Sequence, residues 1–348
     1  MTYGNDVRKE TAGIRLEWSS SYQDFLYYES SVTPGTLLAM NVIKPEKPSF
    51  LLVRLHGWHM SMPEPQKRDS PLPENDYLVV QVDMRGRAYS EGSPDCNGYE
   101  LVDIYDAVKL VQRHYSEWLV DPAVVFVAGG SGGGGNVLAA INKFPDLFAA
   151  AVALYGISDY AEWYATDRIG EFRDDMDAWI GCAPWDEPEP FEARSGACLA
   201  ENQLTPLLLA HGTFDSRVPV GQSRSYMRAA EKSGKSPLIR YRELIGVGGE
   251  EHTDRLTEEE LRRLGQEKED LFQSHAKSID IPSCGSFVIG GYLYTKQFVI
   301  HLDHIDHIAR VSYDLGRNQF KVTARRPYPY RILTPDGTVT SGTAETAT

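Results

Sequence analysis

The chain has 348 residues, 42% hydrophobic and 24% charged, which is enough apolar content for a sizeable core and too much for a disordered chain. Lys and Arg number 35 against 49 Asp and Glu, a formal net charge of -14. That balance argues against nucleic acid or an anionic membrane as a partner, because both are bound through clustered positive charge. No apolar run approaches the roughly 20 residues of a membrane span, and the first residues show no apolar signal segment, so a cytoplasmic protein is expected. The cysteines Cys96, Cys182, Cys198 and Cys284 are scattered without a C-x-x-C pair. Free thiols in a reducing compartment are expected, with a Cys182–Cys198 disulfide left open.

Residues 14–18 and 36–44 read as an antiparallel lead-in at a sheet edge. Strands are then expected at 50–56, 77–83, 123–128, 149–155, 206–211 and 238–244, mostly as continuous apolar runs of the kind buried on both faces. Amphipathic stretches at 101–114, 135–142 and 221–233 lie between them. Strand–helix alternation predicts an α/β fold, a mostly parallel sheet with helices on both faces. Residues 158–203, rich in aromatic and acidic side chains, are too long for an ordinary connection and predict a helical cap. A charged helix at 258–277 follows. Beyond it, runs at 286–295, 297–302, 308–315, 319–325 and 330–333 alternate polar and apolar residues and predict a small antiparallel sheet, with 341–348 as a frayed tail. The expected division is a catalytic domain at 1–257 and a linking helix with a β subdomain at 258–348.

The most informative segment runs from Val124 to Ile141, where a β-branched run enters Gly129-Gly130-Ser131-Gly132-Gly133 and leaves into a helix-forming stretch. This is G-x-S-x-G in strand–turn–helix context, the nucleophile elbow of α/β-hydrolases. A serine at a sharp turn stands above the sheet, and the following helix N-terminus aims N–H groups at an oxyanion. An elbow calls for an acid and then a histidine downstream. Asp215 lies in the loop after the strand ending at His211, and His252 lies in a glycine-rich loop after the next strand. Ser131 is expected to attack, His252 to carry its proton, and Asp215 to orient the imidazole, with Asp159 and Glu250 as weaker acids. The loop after the 50–56 strand, His56-Gly57-Trp58, is expected to supply the Trp58 N–H as a second oxyanion donor beside Gly132. The Trp58 ring reads as either an acyl-pocket wall or core. Arg85 reads as structural, paired with a carboxylate. His301, Asp303, His304, Asp306 and His307 read as a polar turn rather than a metal cluster, so no metal or cofactor is expected.

At 129–136, at 211–219 and at His252, and in the phrases Asp83-Met-Arg-Gly and Gln222-Ser, the sequence resembles the catalytic domain of the prolyl oligopeptidase-like (S9) serine peptidases. The resemblance covers about residues 35–257 and implies serine hydrolysis of amide or ester bonds, with Ser131, Asp215 and His252 matching the family triad. With fewer than 50 residues ahead of the core, the large N-terminal β-propeller of many such peptidases is not expected. The oxyanion tyrosine of prolyl oligopeptidases proper has no counterpart in His56-Gly57-Trp58. The expected activity is therefore hydrolysis of a small substrate or short peptide through an acyl-enzyme, with a carboxylesterase as the alternative. A silent binding or scaffold protein is a second alternative. The C-terminal sheet is a candidate surface for homo-oligomers. Within the cap, Glu162, Glu171 and Asp175 read either as a solvated acidic face or as holders of a substrate amine.

Overall fold

Runs of Val, Leu and Ala with no polar alternation need cover on both faces, and they find it in the computed structural model, which describes residues 17–73, 75–167 and 170–347. The first sheet has nine strands: β1 (Trp18–Ser19), β2 (Gln23–Glu29), β3 (Leu37–Ile43), β4 (Leu51–Leu55), β5 (Leu78–Val82), β6 (Val125–Gly130), β7 (Ala150–Leu154), β8 (Leu207–Gly212) and β9 (Ile239–Leu244). Their spatial order is β1-β2-β3-β5-β4-β6-β7-β8-β9. The first three are antiparallel and the block from β5 to β9 is parallel. Helices α1 (Glu100–His114), α2 (Gly132–Lys143) and, late in the chain, Gly221–Lys232 cover one face. The last helix, Glu258–Ser274, covers part of the other, where Phe272 stacks on Phe126 of β6 at 4.3 Å. The fold is that of an α/β-hydrolase. No helix among the described residues is long and apolar enough to cross a membrane.

The insertion at 158–203 is helical as expected. It comprises α3 (Tyr160–Thr166), α4 (Glu171–Trp179) and α5 (Glu189–Arg194), which makes Gly221–Lys232 α6 and Glu258–Ser274 α7. The rest of the chain forms β10 (Cys284–Gly290), β11 (Tyr292–Tyr294), β12 (Val299–Leu302), β13 (Ile308–Asp314), β14 (Gln319–Ala324), β15 (Pro329–Leu333), β16 (Val339–Thr343) and β17 (Glu345–Thr346), an eight-stranded sheet that is antiparallel except where β17 joins β14. It docks on the helical layer: Asn202 bonds both polar groups of the Val288 peptide, Tyr292 Oη donates to Gly98 O, and the buried Lys143 Nζ donates to Gly290 O at 2.6 Å.

Several expectations change. Strand β2 is new: Phe25 and Tyr28 are buried, but the polar residues at its ends hide the run. Of the 14–18 run, residues 14–16 lie outside the described residues, and pairing begins at Trp18. The run at 286–295 is two strands, because Gly291 turns at φ +72 under the Ile305 backbone. The tail expected to fray pairs instead with β15 and β14, anchored by the buried Ala344, whose N–H donates to Tyr328 O. The disulfide left open is absent; all four cysteines are free.

Candidate active site

The β6 strand runs into the tight turn at Ser131, whose backbone sits at φ 55, ψ -124, a costly conformation for a residue with a side chain. Glycine is required just after it. A β-carbon on Gly133 would lie 2.5 Å from Leu55 O, and one on Gly132 would lie 2.5 Å from Trp58 N. Helix α2 can therefore start against the end of β4, and the Trp58 N–H lies beside the first peptide of α2. Within the described residues, neither the Trp58 nor the Gly132 N–H has a protein acceptor. The loop bearing Trp58 is held from both sides. The buried His56 ring bonds Gly57 O through Nδ1 at 2.9 Å and accepts from Met84 N–H through Nε2 at 3.0 Å, and Arg87 donates to Trp58 O. Burial pushes the His56 ring down to about 4, so it stays neutral in this role.

Asp215 and His252 arrive from two loops stapled together. Phe214 N–H donates to Val247 O and Ser216 N–H to Gly249 O, and Gly248, at φ +102, passes so close that a β-carbon would meet Asp215 N at 2.4 Å. Asp215 Oδ1 accepts the Arg217 and Val218 N–H groups, both at 3.0 Å, leaving Oδ2 for His252 Nδ1 at 2.6 Å. His252 Nε2 lies 2.9 Å from Ser131 Oγ. With the carboxylate as acceptor, Nδ1 carries the proton and Nε2 is free to take one from the serine. Burial raises the Asp215 carboxyl, but the His211 and His252 rings and the Val218 N–H outweigh it and hold the group well below the usual carboxylate range. His211, buried between Ser223 Oγ and Val218 O, belongs to the scaffold.

The structure thus brings Ser131, Asp215, His252, Trp58 and Gly132 together. Asp159 instead caps α3, and the exposed Glu250 makes no bond to the imidazole. Arg85 forms the expected buried pair, bidentate to Asp103. The Trp58 ring is core: it stacks on Trp179 at 4.8 Å among Tyr160 and Trp163 and stays out of the groove. Of the cap carboxylates, Asp175 accepts from Trp58 Nε1 and bonds His59, Glu171 lies near His59 and Arg217, and Glu162 accepts from Ser225 Oγ. None of the three reaches the groove at Ser131. His307 stacks on Tyr328 and bonds Asp303, while Asp306 pairs with His304 and Arg194. Among the described residues no three His, Cys, Asp or Glu side chains gather to hold a metal ion. Sequence reasoning missed His56, Arg87 and Tyr155. His56 stood in a motif already read for its neighbour, while the other two gave no signal short of the tertiary contact.

Ser131 and His252 open on a groove of about 790 Å³ along the ends of β4 and β5, whose walls include Gly57, Met60, Tyr89 and Tyr155. An imidazole between a strained serine and an ionised carboxylate, beside two free N–H groups, is equipped for acyl transfer. A model of the prolyl oligopeptidase family matches residues 66–263, more than half of the chain. The chain belongs to the prolyl oligopeptidase family. Within it, the chain is 27% identical over 253 residues to the uncharacterized peptidase YuxL of Bacillus subtilis, covering 69% of this chain and 37% of YuxL. It is 28% identical over 207 residues to dipeptidyl peptidase family member 6 of Caenorhabditis elegans, covering 54% and 27%. Among solved structures, the acylaminoacyl peptidase of Pyrococcus horikoshii superposes with a TM-score of 0.60 at 22% identity, over 75% of this chain and 43% of that one. The chain spans less than half the length of each.

Proposed function

We propose that this member of the prolyl oligopeptidase family is a serine hydrolase that cleaves an amide or ester bond of a small substrate or short peptide. The observation that carries the reading is the unbroken chain from Ser131 Oγ to His252 Nε2 at 2.9 Å and from His252 Nδ1 to Asp215 Oδ2 at 2.6 Å. Ser131 Oγ attacks the substrate carbonyl as its proton passes to His252 Nε2. The carbonyl oxygen, now negative, takes hydrogen bonds from the Trp58 and Gly132 N–H groups, and Asp215 stabilises the imidazolium. His252 then protonates the departing amine or alcohol, leaving an acyl-serine. Water, deprotonated by the same ring, releases the acid and restores Ser131.

The same machinery serves an ester, which leaves more easily than an amide, so a carboxylesterase is the second reading. The four unpaired cysteines support a reducing, cytoplasmic setting. The test is a panel of aminoacyl-, dipeptidyl- and short acyl-nitrophenyl substrates against the wild type and Ser131→Ala. Turnover by the wild type that Ser131→Ala loses by a factor of about 10³ or more supports the reading. A folded Ser131→Ala protein with wild-type kcat sinks it.

A further inference from the structure

We propose that Arg54 selects the substrate: its guanidinium holds a carboxylate carried by the substrate at a point away from the bond that is cleaved. The inference rests on the serine-hydrolase reading and names the substrate class of the same groove.

In β4, Arg54 stands opposite Gln81 of β5 and Ala128 of β6, and Gln81 stands opposite Asn41 of β3. Cross-strand partners share a face, so Asn41, Gln81 and Arg54 form a polar row. Two residues back along the strands, the same face is apolar, with Leu52, Val79 and Phe126 packed beneath α7. An arginine continuing that face from a strand flanked on both sides is out of place as packing. Among its described residues, the connection from β4 to β5 contains no helix and is interrupted by Pro63, Pro65, Pro71 and Pro73. That leaves Arg54 exposed on the wall of the groove containing Ser131 and His252.

The Arg54 guanidinium has no hydrogen-bond or ion-pair partner among the described residues, and none links it to Glu64, the one carboxylate on that wall. Asn41 and Gln81 are bonded to each other at 3.4 Å, and Asn41 Nδ2 also donates to Pro63 O. Arg54 pairs with Ala128 of β6, three residues before Ser131, so the base of its side chain and the nucleophile belong to one end of the sheet and one groove. A guanidinium fork matches a carboxylate through two parallel hydrogen bonds, a geometry neither lysine nor an amide reproduces. In a chain of net charge -14, an unpaired cation in the groove that contains the nucleophile makes a local exception that an anionic substrate can use.

The test uses two matched substrate pairs. One has a nitrophenyl ester whose acyl chain ends in a carboxylate and its methyl-ester twin. The other has a peptide whose leaving side ends in a free carboxylate and its amide twin. The expected result is a preference of tenfold or more in kcat/KM for the anionic member of one pair, and which pair shows it tells the acyl side from the leaving side. That ratio should fall toward 1 in Arg54→Gln, stay partly intact in Arg54→Lys, and shrink in 0.5 M salt for the wild type. Turnover of the neutral twins with no anionic preference, or a preference that survives Arg54→Gln, overturns the proposal and leaves the hydrolase reading standing. No turnover of any member, together with a Ser131 that resists a phosphonate probe, overturns both.

Discussion

The Tyr155 ring lies flat on the His252 imidazole, with centroids 4.5 Å apart and planes 7° from parallel. Tyr155 is itself fixed. Its N–H donates to Ala210 O, and a β-carbon on Gly130 would strike its ring at 2.7 Å. In the proposed mechanism the imidazole gains and loses a proton while Nε2 stays aimed at Ser131, and the stacked ring limits the ways it can swing. Stacking of this kind contributes about 0.5–1.5 kcal/mol. Tyr155→Ala should lower kcat roughly 2- to 10-fold with little change in KM, and Tyr155→Phe should keep wild-type kcat. Steady-state kinetics on one chromogenic substrate checks both.

Asp215 gives a prediction in pH. Its folded carboxyl is held below the ordinary value of 3.8, so it adds stability that is complete above that value and is lost as pH falls through the lower folded value. Asp215→Asn should flatten the acid side of a stability profile below about pH 4. At neutral pH the variant should stay folded yet lose activity by roughly 10⁴, because the amide favours the wrong imidazole tautomer. Thermal melts across pH, paired with kcat, test the two halves separately.

The proposed oxyanion site depends on closeness between two backbones. A methyl group at Gly132 would be 2.5 Å from Trp58 N and would push that N–H out of line. Gly132→Ala should therefore cost kcat a factor of about 10² to 10³, the usual size for a lost oxyanion donor. If the melting temperature stays near wild type and kcat does not fall, the Trp58 and Gly132 N–H groups are not the donors.

Much of the site was legible because its chemistry is local. Val125 to Gly133 carries strand, turn and helix start in one stretch, and Asp215 and His252 stand in loops that follow apolar runs. The wall of the groove was not legible. Whether the Trp58 ring faces substrate or core depends on Trp163 and Trp179, more than a hundred residues away, and nothing near Trp58 encodes the answer. Arg54 gave no signal in the sequence, because its place beside Gln81 and Ala128 comes from the register of three strands. The tail was misread for a related reason. Residues 341–346 are small and polar, and only the partners offered by β14 and β15 make them strands.

Lys143 ties α2 to the end of β10, and its burial should make the stability of the fold depend on pH. Burial pushes its ammonium down to about 7 from an ordinary 10.5. Between these values the unfolded chain binds a proton that the folded chain does not, so stability should rise as pH goes from about 7 to about 10. The slope is at most about 1.4 kcal/mol per pH unit. Chemical denaturation across this range should show the rise in the wild type and lose it in Lys143→Met.

The most direct test of the central claim is covalent. The folded protein is treated with a fluorophosphonate, digested and mapped by mass. The account predicts one adduct, on Ser131, formed far more slowly in His252→Gln. A folded protein that takes no adduct, or takes one elsewhere while Ser131 stays unmodified, would contradict the assignment of Ser131 as the nucleophile.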